Sequence, residues 1–357
     1  MPWLASVWLG TVCFAATEYS IVDLGGLGSG YARASAINGL GQVAGEALLP
    51  GAALVDRAVL WQGGTVTDLG TLGGQQSSAL GINNAGTVCG LAQNAAGNTR
   101  PALWQGSVVT ALPTLGGTSG TAWGINDAGT VVGNAYLSAG GYHATLWTAG
   151  GVRDLGTLGG AYSVAYDINN LGVAVGAADA SSGEQRAALW GPGGPVDLGD
   201  LSGGLWSAAR AINDSGQVIL WGTPQGGAAN RAAFWNGDPS SPVIDLGTFG
   251  GSQSWAYGIN DNGFVVGWGE EQGGTYHAFV WDGLQKTDLG TLGGYYSSAY
   301  GINDQGIIVG YAMDTFGQTH AVEWVPVPEP AAPLLGLLGA GILCLASRRM
   351  RPSLALG

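Results

Sequence analysis

Charge is scarce in this chain of 357 residues: Asp, Glu, Lys and Arg together make up 10%, and Lys286 is the single lysine. No cluster of Lys or Arg occurs before residue 348. A phosphate-binding surface needs one, so nucleic acid is not an expected partner. Cysteine is scarce too. Cys13 and Cys344 lie in apolar terminal segments, which leaves Cys89 alone in the body, so neither a disulfide framework nor a cysteine metal site can be built there. No nucleophile–base pair, G-x-S-x-G, H-E-x-x-H or phosphate loop appears. The expectation is no cofactor, no metal and no assigned catalytic residue.

What is abundant is glycine, 67 residues without a G-X-Y period, which excludes collagen. A hydrophobic content of 46% supports a real core. The glycine excess therefore points to many tight turns, because Gly takes positive φ cheaply.

The turns belong to a repeat. Trp61, Trp104, Trp147, Trp190, Trp235, Trp281 and Trp324 follow one another at intervals of 43, 43, 43, 45, 46 and 43 residues. Ahead of each stands an Ile-Asn pair, from Ile37-Asn38 to Ile302-Asn303, and most units are joined by DLGTLGG or a close variant. Residues 248–290 show the plan: SWAYGIN, a turn at Asp261-Asn262-Gly263, FVVGW, a variable loop, YHAFVW, a glycine turn and QKTDLG. Four short strands in a unit of 40–50 residues is the signature of a propeller blade.

The ends of the array agree. The last unit runs from its third strand, at Trp324, into VPVPEP and lacks a fourth, while YSIVDLG at 19–25 matches a fourth strand such as VTDLG at 66–70. The expected fold is all-β: a seven-bladed β-propeller over 19–326, closed by the N-terminal strand completing the last blade. Closure removes two sheet edges. An open β-solenoid is the alternative, and it would want distinct polar caps.

A repeat permits comparison inside one chain. The seven tryptophans recur everywhere and read as structural, packing between blades. His143, His277 and His320 share their position with Arg57, Arg100, Arg186 and Arg231, which no zinc ligand could do; what His and Arg share is N–H donation, with the Asp of D-L-G as the expected acceptor. The Asn of Ile-Asn, with Gly three residues on, reads as turn chemistry. Asp127, Asp214, Asp261 and Asp304 beside it are too few for a recognisable Ca²⁺ loop. Residues that differ between blades are the functional candidates. Tyr31, Tyr162, Trp206, Trp255, Tyr295 and Tyr296 follow the Gly-Gly pairs, and Trp123, Tyr166, Tyr257 and Tyr300 come farther along the same strand. The binding set expected from these is Trp123, Tyr162, Tyr166, Trp206, Trp255, Tyr257, Tyr296 and Tyr300, with rings stacking on extracellular glycan. The alternative is that they fill the wide end of each blade.

The termini carry addresses. WLASVWLGTVCFAA at 3–16 reads as a secretory signal, with residues 1–16 removed; the alternative is a short buried strand. Pro328-Glu329-Pro330, the apolar run 331–347 and then Arg348, Arg349 and Arg351 resemble the PEP-CTERM sorting signal, here over 327–351 with a tail at 352–357. That resemblance implies exosortase, a membrane transpeptidase-like enzyme, as a partner. It also implies a short C-terminal apolar helix that engages the inner membrane transiently. A plain single-pass anchor is the alternative, although the run is short against the ~20 residues that span a bilayer. The body, with DLGTLGG, GIN-x-x-G-x-V-V-G and HA-x-x-W, resembles the HAF family of extracellular repeat proteins, which implies export but no reaction. Two functions follow as expectations: a non-enzymatic surface or matrix protein binding polysaccharide or protein partners, and, alternatively, a secreted propeller hydrolase or lyase acting on polysaccharide.

Overall fold

The structure is a computed structural model that describes residues 17–51, 55–199, 204, 206–227, 229–238 and 240–328. The expected signal segment 1–16, Glu329, Pro330, Arg348 and Arg349 lie outside these residues, whereas Pro328 is described and exposed.

Every repeat folds as antiparallel strands in sequence order. In repeat six Gly250–Ile259 pairs with Val265–Glu271, that strand with Tyr276–Trp281, and that one with Lys286–Asp288. On the inner strand Ser254, Ala256 and Gly258 alternate with Trp255 and Tyr257, and burial alternates with them. Small residues thus meet the sheet's neighbours, and the rings take the alternate positions, with Tyr257 turned toward the propeller axis. The second strand begins Val265-Val266-Gly267, buried throughout, as expected of a β-branched run covered on both sides. Its Gly is forced by a close approach: the inner strand bulges here, and a Cβ at Gly267 would run into the carbonyl oxygen of Trp255. Repeat five carries Leu220 at this position, and its inner strand shortens to Ser207–Ile212.

The Asn turns weld the repeats together. Asn260 Oδ1 accepts the Phe264 N–H at 2.9 Å, and Gly263 closes the turn at φ 81°. Asn260 Nδ2 then donates to the carbonyl of Asn303, 3.0 Å away in the next repeat. The same link runs from Asn38 to Asn83, Asn126, Asn169, Asn213, Asn260 and Asn303, and Asn303 returns to Asn38 at 3.2 Å. At the outer edge Tyr19–Asp23 pairs antiparallel with Thr319–Pro326, placing Ile21 opposite Trp324.

The fold is an all-β propeller, and the expectation of seven separate blades plus a helix is corrected on two points. Only five four-stranded blades are discrete. The last two repeats, with Tyr19–Asp23, form one eight-stranded sheet, joined by a parallel bridge between Tyr276 and Tyr296. The physical reason is the close approach of each third strand to the next inner strand: Thr319 and Tyr31 make the same parallel bridge at the equivalent positions, and between Tyr276 and Tyr296 the two rings lie 4.5 Å apart as well. The described residues contain no helix, and the apolar run 331–347 falls outside them.

The core is a circle of interfaces rather than one centre. Each cluster of buried residues joins adjacent repeats; Val266, Ala278 and Leu289, for example, pack with Ile308 and Trp324 of the next repeat. Trp61, Trp104, Trp147, Trp190 and Trp324 are buried, and Trp235 and Trp281 are half-buried. Three indole N–H groups reach back to the preceding D-L-G segment or its counterpart: Trp61 to Gly25 O at 3.1 Å, Trp147 to Pro113 O at 2.7 Å and Trp324 to Leu289 O at 2.8 Å. The histidines donate as expected. Nδ1 of His143, His277 and His320 lies 2.8, 2.9 and 2.8 Å from the carboxylates of Asp154, Asp288 and Asp23.

Candidate functional site

The inner strands surround a channel with two unlike halves. Isoleucines of the Ile-Asn pairs, Ile37, Ile82, Ile125, Ile259 and Ile302 among them, border both. Toward the Asn turns lies a cavity of about 240 Å³ rimmed by Asn84, Asp127, Asn170, Asp214, Asp261 and Asp304. These side chains are tied in sequence, each accepting the backbone N–H of its predecessor in the ring, as Asp304 does from Asp261 at 2.9 Å. That half reads as a structural rim.

The other half holds about 160 Å³ and is lined by one residue per repeat, always two before the Ile: Ser35, Leu80, Trp123, Tyr166, Arg210, Tyr257 and Tyr300. The Arg210 guanidinium lies 5.6, 5.1 and 5.9 Å from the ring centres of Trp123, Tyr166 and Tyr257. Asp167 borders the same space. Burial pushes its carboxyl up to about 6, against the backbone N–H groups of Ile212 and Ile168 and the charge of Arg210, which pull it down.

From this channel an aromatic arc spreads over the face that carries the Gly-Gly turns, across repeats five to seven. Trp206 meets Trp221 at 4.4 Å, Trp221 meets Trp255 at 4.1 Å, and Trp255 stacks on Trp268 at 6.2 Å. Trp268 meets Tyr276 at 4.8 Å, and Tyr276 stacks on Tyr296. A branch runs from Trp255 through Tyr257 to Tyr300 and Tyr311. All these rings are half-buried; Tyr295, at the rim, is 72% exposed. The indole N–H groups of Trp221 and Trp255 are buried and have no hydrogen-bond partner among the described residues. Burial, with Tyr300 second, pushes the Tyr257 phenol up to about 12, and burial also raises Tyr276 and Tyr311, so the arc stays uncharged near neutral pH.

The eight expected rings therefore divide three ways. Trp206, Trp255, Tyr257, Tyr296 and Tyr300 join the arc. Trp123 and Tyr166 face Arg210 across the channel. Tyr162 stands apart, in a cluster with Tyr142 at 5.0 Å that continues to Tyr136. Sequence reading missed Arg210, Trp221, Trp268, Tyr276 and Tyr311. The signal was present for most of them: Trp221, Trp268 and Tyr311 fill the position after V-x-G, which holds Glu46, Leu91, Asn134 and Ala177 in the other repeats.

Repeats one and two present a polar counterpart, a pocket of about 300 Å³ that includes Arg33, Glu46, Asp56 and Ser78. Glu46 accepts from Ser78 at 2.7 Å and pairs with Arg33 at 3.0 Å. Burial, then the Glu46 charge, raises the Asp56 carboxyl. The only grouping of metal-ligating atoms found among the described residues, Glu271, His277 and Asp288, is the structural histidine clamp already described.

Residues 326–351 match the PEP-CTERM protein-sorting motif. That motif is the recognition signal for exosortase processing and points to export and cell-surface association. No curated protein matches the chain. Among solved structures it is similar to TolB from Acinetobacter baumannii, at 15% identity over 69% of this chain and 62% of that one, with a TM-score of 0.48. A puromycin hydrolase mutant complexed with PGG is 14% identical, with coverage of 81% and 53% and a TM-score of 0.53. YCF48 bound to D1 peptide is 15% identical, with coverage of 90% and 99% and a TM-score of 0.51. The chain spans less than two thirds of the first two. Identities this low show the fold alone.

Proposed function

We propose that the protein is an exported surface or matrix component that binds extracellular polysaccharide, without catalysis, on the face bearing the aromatic arc. Its repeats are of HAF type, and the run 331–347 engages the inner membrane only until exosortase acts. The observation that carries this reading is the continuity of half-buried rings from Trp206 to Tyr296 on one side of the propeller. Packing alone does not explain it, since at the cross-strand pair held by Trp255 and Trp268 repeats one to four place Arg33 with Glu46, Ser78 with Leu91, Thr121 with Asn134 and Val164 with Ala177. Ring faces are electron-rich, and the C–H bonds on one side of a pyranose present the complementary edge. Exposed apolar patches of this kind mark interaction sites.

A glycan array combined with pull-down on insoluble polysaccharides tests this. The full chain retains one or more glycans, and Trp206→Ala combined with Tyr300→Ala abolishes retention. An empty array, or retention indifferent to the double variant, removes the proposal. A second reading, a hydrolase or lyase acting on polysaccharide, is favoured by the Glu46–Asp56 pocket, where two carboxylates sit in different environments. Release of new sugar ends from a retained glycan would replace the binding reading with it.

A further inference from the structure

We propose that the aromatic half of the channel is a carboxylate subsite, with Arg210 as its anion ligand, so that the polysaccharide taken by the arc is an acidic one. This rests on the binding reading above and adds the ligand's chemistry to it.

Three ring faces, and not the lack of an ion pair, which Arg153 and Arg231 share among the described residues, set Arg210 apart. Arg33 and Arg57 are paired with Glu46 at 3.0 Å and Asp68 at 3.2 Å, and Arg186 with Glu184 at 2.7 Å. Arg210 has no ion pair and no hydrogen bond among the described residues; its contacts are three ring faces. The nearby Asp167 is already committed, with Oδ1 accepting from Ile168 N at 2.9 Å and Oδ2 from Ile212 N at 3.0 Å. Stacking occupies the flat face of a guanidinium and leaves its N–H edge free, the edge that grips a carboxylate in two parallel bonds. Ring walls exclude water and strengthen that grip.

Size and charge placement agree. A space of about 160 Å³ is small beside the ~300–1,000 Å³ of pockets that enclose whole ligands. It fits one pendant group of a longer chain whose backbone lies on the arc, and Tyr257 and Tyr300 connect the two regions. The net charge of −13 would repel a polyanion. However, the acidic rim of Asp127, Asp214, Asp261 and Asp304 belongs to the opposite half of the channel, exposed charges act over only ~8 Å at physiological salt, and the carboxylate bordering this half, Asp167, is held by two backbone N–H groups.

The test uses the full chain with alginate, a polyuronate, and with carboxyl-reduced alginate, which keeps a sugar backbone without the charge. Alginate binds at least about tenfold more tightly, a difference of about 1.4 kcal/mol. The preference shrinks as salt rises, and Arg210→Gln removes it while binding of the reduced polymer persists. Arg210→Lys, which keeps charge but loses the planar fork, retains part of the preference and serves if the Gln variant does not fold. Equal affinity for both polymers, or a preference that survives Arg210→Gln, overturns the subsite. Binding only of neutral glycans on the array rejects the subsite and leaves the binding reading standing. Retention of acidic peptides in place of any glycan rejects both.

Discussion

Asp167 stands where the other repeats place Ala36, Gly81, Gly124, Ala211, Gly258 and Gly301. A Cβ at Gly124 would press on the Asp167 backbone, and one at Gly258 on the Tyr300 carbonyl, so the position tolerates little beyond glycine or alanine. Asp167 fits because its carboxylate reaches the backbone N–H of Ile212 in the neighbouring repeat. The arrangement has a cost that depends on pH. With the folded carboxyl at about 6 and an unfolded value of 3.8, the native state holds more protons between these limits, and stability falls as pH rises from about 4 to 6. Two pH units correspond to about 3 kcal/mol. Denaturant melts at pH 4, 5, 6 and 7 should show this slope, and Asp167→Ala should flatten it. A slope unchanged in the variant assigns the effect to other groups. At this scale the sequence was most legible where one residue type filled every repeat, as with the Asn and Trp positions. It was least legible at Arg210, because a lone arginine in one repeat acquires meaning only when the channel sets it against rings from three others.

Strands show the same division. The order of four per repeat, the Asn turns and the pairing partner of Tyr19–Asp23 could all be read from apolar alternation and turn residues. Strand lengths could not. The inner strand of repeat six starts at Gly250, whereas the sequence suggests Ser254, because Gly-Gly resembles a turn yet pairs here, Gly250 lying opposite Glu271. The fusion of the last two repeats into one sheet was invisible for a related reason: Tyr276 and Tyr296 occupy positions that the repeat leaves variable. Adhesion between neighbouring elements rests on the tryptophans. Trp147 is buried and donates to Pro113 O at 2.7 Å, bridging from its third strand to the segment before it. Trp147→Ala should cost about 3–5 kcal/mol, through lost apolar burial and the cavity left behind. A shift below about 1 kcal/mol in a denaturant melt would mean that this ring does not hold repeats two and three together.

Taken as a whole, the molecule is nearly symmetric in backbone and strongly asymmetric in surface. One Asn ring and one set of interfaces repeat around the axis, yet the rings crowd onto repeats five to seven and the Arg33–Glu46–Asp56 pocket onto repeats one and two. Export, marked by the sorting motif at 326–351, puts that surface in contact with extracellular material. The measurement that bears most directly on this is calorimetric titration of the full chain with the glycan the array selects. Trp255→Ala combined with Trp268→Ala is the altered form, and Leu171→Ala, an exposed side chain in an Asn turn on the opposite side, is the control. The arc as binding surface predicts at least about tenfold weaker affinity for the double variant and none lost by the control. Affinities within about twofold of one another for all three proteins would contradict it.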